Sequence, residues 1–209
     1  NIKYYLSKQM FNNVISTANT SSTHLKASAN SNNCWKNGLI KSLSDKKFII
    51  EETDNLFVLK DKFPKAKHHY LVVSKYIPSI EALTFKDIKL VKHMIYVGEA
   101  LIKKNKKESC EFQTGFHAIP SMNMLHMHVI SCDFESIYMK NKKHWNSFTT
   151  EFFRPACEIL KELSIAGKII INKLHYESFL SYPLKCHKCN ERPSNMPKLK
   201  THIKDHTNI

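Results

Sequence analysis

The sequence predicts an α+β fold: an antiparallel five-stranded sheet with helices against it, followed by a small Cys/His-bearing module. Three observations in the 209 residues carry this expectation. Short apolar runs succeed one another between turn residues, as strands of a meander do. One long stretch with helical periodicity interrupts them. The C-terminal end holds Cys186, Cys189, His202 and His206 at ligand spacing.

Taken in order, residues 1–33 read as a disordered leader, because 12–33 are rich in Asn, Ser and Thr and lack apolar periodicity. Trp35, Leu39 and Leu43 then recur at helical spacing, so a short amphipathic helix opens the folded part and ends near Asp45. Strands are expected over 48–51, 56–60 and 70–74, the first two joined by the Thr53-Asp54-Asn55 turn. Thr84, with Asp87 three residues on, has the form of an acidic capping box. The stripe Ile88, Val91, Ile95, Leu101 and Ile102 carries the following helix to about residue 103. A fourth strand covers 111–118, and the fifth holds His126 and His128. Residues 133–146 are irregular, and a second helix runs over 155–166 to a stop at Gly167. Ile-rich and aromatic stretches at 169–171 and 176–182 lead to the terminal module. The domain reading is a catalytic domain over 34–150, a helical connector over 151–183 and the module over 184–209.

Within 125–130, Leu125, Met127 and Val129 alternate with His126, His128 and Ile130, a period of two. Both imidazoles therefore share one strand face, about 6.6 Å apart along it. Two such rings suit metal ligation or phosphoryl chemistry, since imidazole is a ligand, a base and a nucleophile near neutral pH. A hydrogen-bonded structural pair is the third option.

Cys186-x2-Cys189-x12-His202-x3-His206 has the ligand types and spacing of a Cys2His2 zinc finger. Two thiolates on a tight turn and two imidazoles on one helical face can close a tetrahedron around Zn²⁺. Asn195 suits the cap of that helix and Pro197 its first turn. All four positions are filled, so the zinc is structural, and His187 between the thiolates reads as a bystander. Only Met196, Leu199 and Ile203 offer apolar surface, so metal binding supplies most of the folding free energy.

A net charge of +14, with lysines clustered at 60–67, 103–107 and 140–143, points to a polyanion. No basic amphipathic helix with aromatic anchors stands out and no apolar run spans a bilayer, which favours nucleic acid over membrane. Of the six cysteines, only Cys186 and Cys189 are close in sequence, and metal explains that spacing better than a disulfide.

The run KDKFPKAKHHYLVV at 60–73, the segment 117–131, the run KNKKHWNSF at 140–148 and the finger together resemble the aprataxin family over about residues 34–206. These are the DNA-adenylate hydrolases of the histidine-triad superfamily. The resemblance implies the histidine-triad fold and removal of AMP from 5′-adenylated DNA. It makes His126 the nucleophile on the α-phosphorus, passing through a covalent histidine–AMP intermediate. It places His128 and Ser121 on phosphate oxygens, His117 beside the leaving phosphate, and Lys65 and Lys143 on the phosphate side. Asp61 would hold the ribose hydroxyls and Leu39 would line the adenine pocket. His69 would touch substrate or support those that do. Trp35 matches a wedge against the terminal base pair, with plain core as its alternative reading. The resemblance further implies one structural zinc per chain, no catalytic metal, nicked or gapped DNA carrying 5′-AMP as partner, AMP as product, and residence in the nucleus.

Two departures stand out. Met124 occupies the position of the superfamily's first triad histidine. Nothing here corresponds to the forkhead-associated domain of vertebrate members, so tethering to phosphorylated scaffolds is not expected of this chain. The competing readings are a hydrolase of small adenylated molecules and a non-catalytic nucleic-acid-binding module. Loss of the finger is expected to weaken DNA binding while sparing a small AMP ester.

Overall fold

The computed structural model describes Leu39, residues 45–105 and residues 110–206. The leader, Trp35 and all of the opening helix except Leu39 lie outside the described residues. The strands are β1 (Ile49–Glu52), β2 (Leu56–Lys60), β3 (His69–Ser74), β4 (Phe112–His117), β5 (His126–Ser131) and β6 (Phe153–Pro155). They form one antiparallel sheet in the order β1-β2-β3-β5-β4-β6. Among the described residues the sheet thus has six strands where the sequence led us to expect five. β6 is three residues ending in proline, too short to give a periodic signal, and it falls in the stretch read as connector. Gly115 makes room for it: a Cβ there would lie 2.4 Å from the Arg154 carbonyl oxygen and 2.7 Å from the Phe153 ring.

Among the described residues lie the helices α1 (Ile88–Asn105), α2 (Lys142–Thr149), α3 (Ala156–Ala166), α4 (Lys173–Phe179) and α5 (Met196–Asp205). The Asp87 carboxylate accepts from the Thr84 N–H at 2.8 Å and its hydroxyl at 2.9 Å, closing the turn that leads into α1. Gly167 stops α3 in the left-handed conformation, φ 71°. The sequence reading took 133–146 as irregular, yet α2 begins at Lys142, capped by Asn141 Oδ1 accepting from the His144 N–H at 2.9 Å. Its first turn is lysine-rich, which hid the apolar pair Trp145 and Phe148.

β3 and β5 are buried along their whole length because both sheet faces are covered. On one face Leu125, Met127 and Val129 pack with Val91 and Met94 of α1 and Ile159 and Leu163 of α3. The other face carries His126 and His128 and then Ile130, which joins Phe134, Trp145, Phe148, Leu199 and Ile203 in a second core. Trp145 is its largest fully buried side chain: burying an indole removes roughly 200 Å² from water, about 5 kcal/mol. Its Nε1–H donates to the Lys185 carbonyl at 2.9 Å. The finger helix therefore packs on the sheet face that bears the histidines.

Candidate active site

β5 holds His126 and His128 on the floor of a cavity of about 660 Å³. Register places Val73 opposite His126 and Leu71 opposite His128. Backbone groups fix the protons of both rings. Met124, in the left-handed region at φ 76°, places its carbonyl oxygen 2.8 Å from His126 Nδ1. That nitrogen donates, so Nε2 keeps its lone pair. A second relay begins at the Lys65 N–H, which donates to His69 Nδ1 at 3.1 Å. The His69 proton then sits on Nε2 and is given to His128 Nδ1 at 2.9 Å. His128 is left with Nε2–H, a buried donor that has no hydrogen-bond partner within the protein. Neighbouring strand positions thus present opposite chemistry: a lone pair on His126 and an N–H on His128.

Burial pushes all four rings below the ordinary histidine range. For His126 the Met124 carbonyl and Asp61 partly oppose it. His69 is driven down to about 4 by burial, against the pull of Asp61. His117 and His128 are held well below 6.5 by burial and by their cationic or titratable neighbours. The His117 ring centroid lies 4.3 Å from that of His128 and 4.6 Å from that of Phe148, and its Nε2 is also buried without a protein partner. At neutral pH the site is a set of uncharged imidazoles.

Around them stand the other residues singled out by the sequence. Leu39, with Leu59 and Leu71, makes an apolar end. Asp61 Oδ1 accepts from the Phe63 N–H at 2.7 Å, and Oδ2 lies 3.5 Å from His69 Nδ1. The Lys65 ammonium donates to the Phe63 carbonyl; burial lowers its pKa and Asp61 opposes. Ser121 and Lys143 border the same cavity. Every candidate is brought together except Trp35, which lies outside the described residues. His69 stands behind His128, and so supports the rings rather than only lining the space. The sequence reading missed His144, Ser147, Phe148, Phe152 and Leu180 on the wall. His144 lay one residue from a chosen lysine, but without α2 nothing said which neighbours faced inward.

The finger ligands also converge. Cys189 Sγ lies 3.1 Å from His202 Nε2, Cys186 Sγ 3.5 Å from His206 Nε2, and the two Nε2 atoms 3.2 Å apart. A Zn²⁺ tetrahedron with ordinary bond lengths has S–N and N–N edges of roughly 3.3–3.6 Å, so this donor set fits zinc. Among the described residues a second grouping, Asp61, His69 and His128, also lies within 4.8 Å, but its two imidazoles already hydrogen-bond each other. His187, expected to be a bystander, places Nε2 2.9 Å from the Cys132 carbonyl oxygen just beyond β5. Its ring meets Phe134 and Trp145 edge-on, so it anchors the finger. No helix among the described residues is long and apolar enough to cross a membrane.

Residues 33–144 match the family described as "Scavenger mRNA decapping enzyme C-term binding". Residues 149–208 match the "C2HE / C2H2 / C2HC zinc-binding finger". The aprataxin of Ciona intestinalis is 44% identical over 172 residues, covering 81% of this chain and 45% of the relative. That of Gallus gallus is 44% identical over 174 residues, covering 82% and 55%. The chain spans about half the length of these two curated relatives. An aprataxin-like protein of Saccharomyces cerevisiae is 31% identical over 155 residues, 57% of this chain and 71% of that one. The crystal structure of the aprataxin ortholog Hnt3 from Schizosaccharomyces pombe overlays with TM-score 0.63 at 25% identity, covering 81% of this chain and 89% of that one. A crystal structure of the ortholog in complex with DNA gives TM-score 0.66 at 24% identity, covering 85% and 94%.

Proposed function

The chain belongs to the aprataxin family, and from that premise we propose that it is a DNA-repair hydrolase removing AMP from 5′-adenylated DNA. The observation that carries this reading is the pair of opposed tautomers on β5. His126 Nε2, with its lone pair, attacks the α-phosphorus. His128, through Nε2–H, holds a non-bridging oxygen that gains charge as the new P–N bond forms. The P–O bond to the DNA 5′-phosphate breaks, and that strand leaves. A phosphate monoester is a stable anion near neutral pH, so it needs hydrogen bonds and countercharge rather than a proton. His117, Lys65 and Lys143 supply these. The positive charge that develops on the substituted His126 ring is met by the Met124 carbonyl and by Asp61. Water then attacks phosphorus and the P–N bond breaks; His126 regains its lone pair, AMP departs with water's oxygen, and the proton released passes to solvent.

Ser121 bonds a phosphate oxygen, Asp61 takes the ribose hydroxyls, and Leu39 with its apolar neighbours takes the base. Residues 34–150 do the chemistry, and the stretch read as a connector, 151–183, completes that domain, since β6 joins its sheet and α3 its core; 184–209 grip nucleic acid through one structural zinc held by Cys186, Cys189, His202 and His206. The zinc ties the finger together and takes no part in the reaction, which needs no catalytic metal. The partner is nicked or gapped duplex, and the place of work is the nucleus.

The test is a nicked duplex with a 5′-adenylated strand, mixed with wild type and with His126→Ala. Wild type releases AMP and a ligatable 5′-phosphate, and the variant loses at least ~10³-fold in rate. If both bind the nick and neither releases AMP, the chain is a nucleic-acid-binding module. If wild type turns over only small AMP esters, it is a nucleotide hydrolase.

A further inference from the structure

His144 stands on the first turn of α2, directly after Lys143, and its ring forms part of the cavity wall. Its Nδ1 is already taken, accepting from the Lys140 N–H at 3.3 Å. A neutral ring held this way carries its proton on Nε2, on the opposite side from the 138–140 turn. Burial and the nearby charges of Lys65 and Lys140 keep the ring below the ordinary histidine range, against the opposing pull of the Tyr138 backbone carbonyl. The wall around it is cationic, with Lys65 and Lys143 on the same cavity. The other end is the apolar group Leu39, Leu59 and Leu71 beside Asp61. A nucleoside seated there, with its phosphorus at His126, directs whatever lies beyond the phosphorus toward α2.

We propose that His144 is a specificity-determining residue whose Nε2–H binds the 5′-phosphate of the departing nucleic-acid strand. This rests on the AMP-removal reading given above. A neutral donor beside two ammoniums adds direction to phosphate recognition without adding charge. It makes a terminal phosphate on the leaving strand a requirement for tight seating.

The experiment measures binding, so it does not depend on turnover. Nicked duplexes carrying a 5′-phosphate or a 5′-hydroxyl are titrated at fixed salt into wild type, His144→Phe, which keeps a ring but no donor, and His144→Gln, which keeps an N–H. Wild type should prefer the phosphate by about tenfold or more; His144→Phe should lose most of that preference and His144→Gln should keep part of it. A wild-type ratio in His144→Phe, or no preference in wild type, overturns the proposal. Should His144→Phe fail to fold, the wild-type His144 ring ¹⁵N resonances decide. Nε2 must shift with the 5′-phosphate duplex and stay still with the 5′-hydroxyl one, and equal shifts overturn the contact. AMP release by wild type is scored separately. Phosphate preference without AMP release defeats the hydrolase reading alone, and AMP release with no role for His144 defeats only this inference.

Discussion

Each imidazole in the cavity is useful because of where its proton sits, and that is set by partners outside the β5 motif. His69 is the clearest case. With His69→Ala, His128 loses the donor that holds its Nδ1 as an acceptor. The expected result is a mixed tautomer, visible in the His128 ring ¹⁵N shifts, and a kcat lower by roughly 10–100-fold with KM less affected. A large rise in KM with kcat unchanged would instead make His69 a direct substrate contact. The same burial has a consequence for stability. These rings have folded-state pKa values below the ordinary 6.5, so protons bind the unfolded chain more readily. The stability they contribute is whole above about pH 6.5 and drains as pH falls; for His69 the loss continues down to about 4. For His69 the slope between those two values is about 1.4 kcal/mol per pH unit. Denaturant melts of His69→Phe between pH 6.5 and 4.5 should be flatter than wild type by about that slope. Parallel curves would mean His69 is not charge-sensitive in the fold.

Among the elements, α2 has the largest effect for its length, because one face supplies Trp145 and Phe148 to the core while its first turn supplies Lys143 and His144 to the cavity. Asn141→Ala removes the acceptor of the His144 N–H and should cost about 1 kcal/mol of stability. It should also slow AMP release more than that loss explains, since the first turn frays where the lysine stands. An activity unchanged alongside a lowered melting midpoint would separate the cap from the chemistry. Gly115→Ala should be worse, because its Cβ would strike the Arg154 carbonyl oxygen; a loss of more than about 2 kcal/mol, read by denaturant midpoint, is expected. These two elements also show what the sequence could and could not disclose. The strands with apolar periodicity, the Thr84–Asp87 cap, the Gly167 stop and the finger spacing could all be read from it, because each signal is local. β6 was hidden because three residues have no period. α2 was hidden because its apolar residues face a finger far along the chain. The same reason hid His144 and Leu180, whose facing depends on how distant segments dock.

At the scale of the molecule, charge and packing make separate demands. If a chain of net charge +14 grips DNA phosphates as proposed, it releases counterions, so affinity for nicked duplex should fall steeply and linearly on a log–log plot against salt. A nearly flat plot would remove the electrostatic part of the DNA reading. The finger was expected to be peripheral, dispensable for a small AMP ester. Its packing argues otherwise. Leu199 and Ile203 share a core with Ile130 on the histidine strand and with Trp145 and Phe148. His187 bonds the Cys132 carbonyl just beyond that strand, and Trp145 bonds the Lys185 carbonyl. Cys186→Ala removes a ligand from a module that metal must fold, which exposes this shared core and loosens the strand that holds His126 and His128. The expected outcome is therefore loss of turnover on both adenylated DNA and a small AMP ester, with a lower melting midpoint of the whole chain and zinc falling from one per chain to near zero by elemental analysis. Small-ester turnover surviving intact beside weakened DNA binding would show that the two halves fold independently despite their common core.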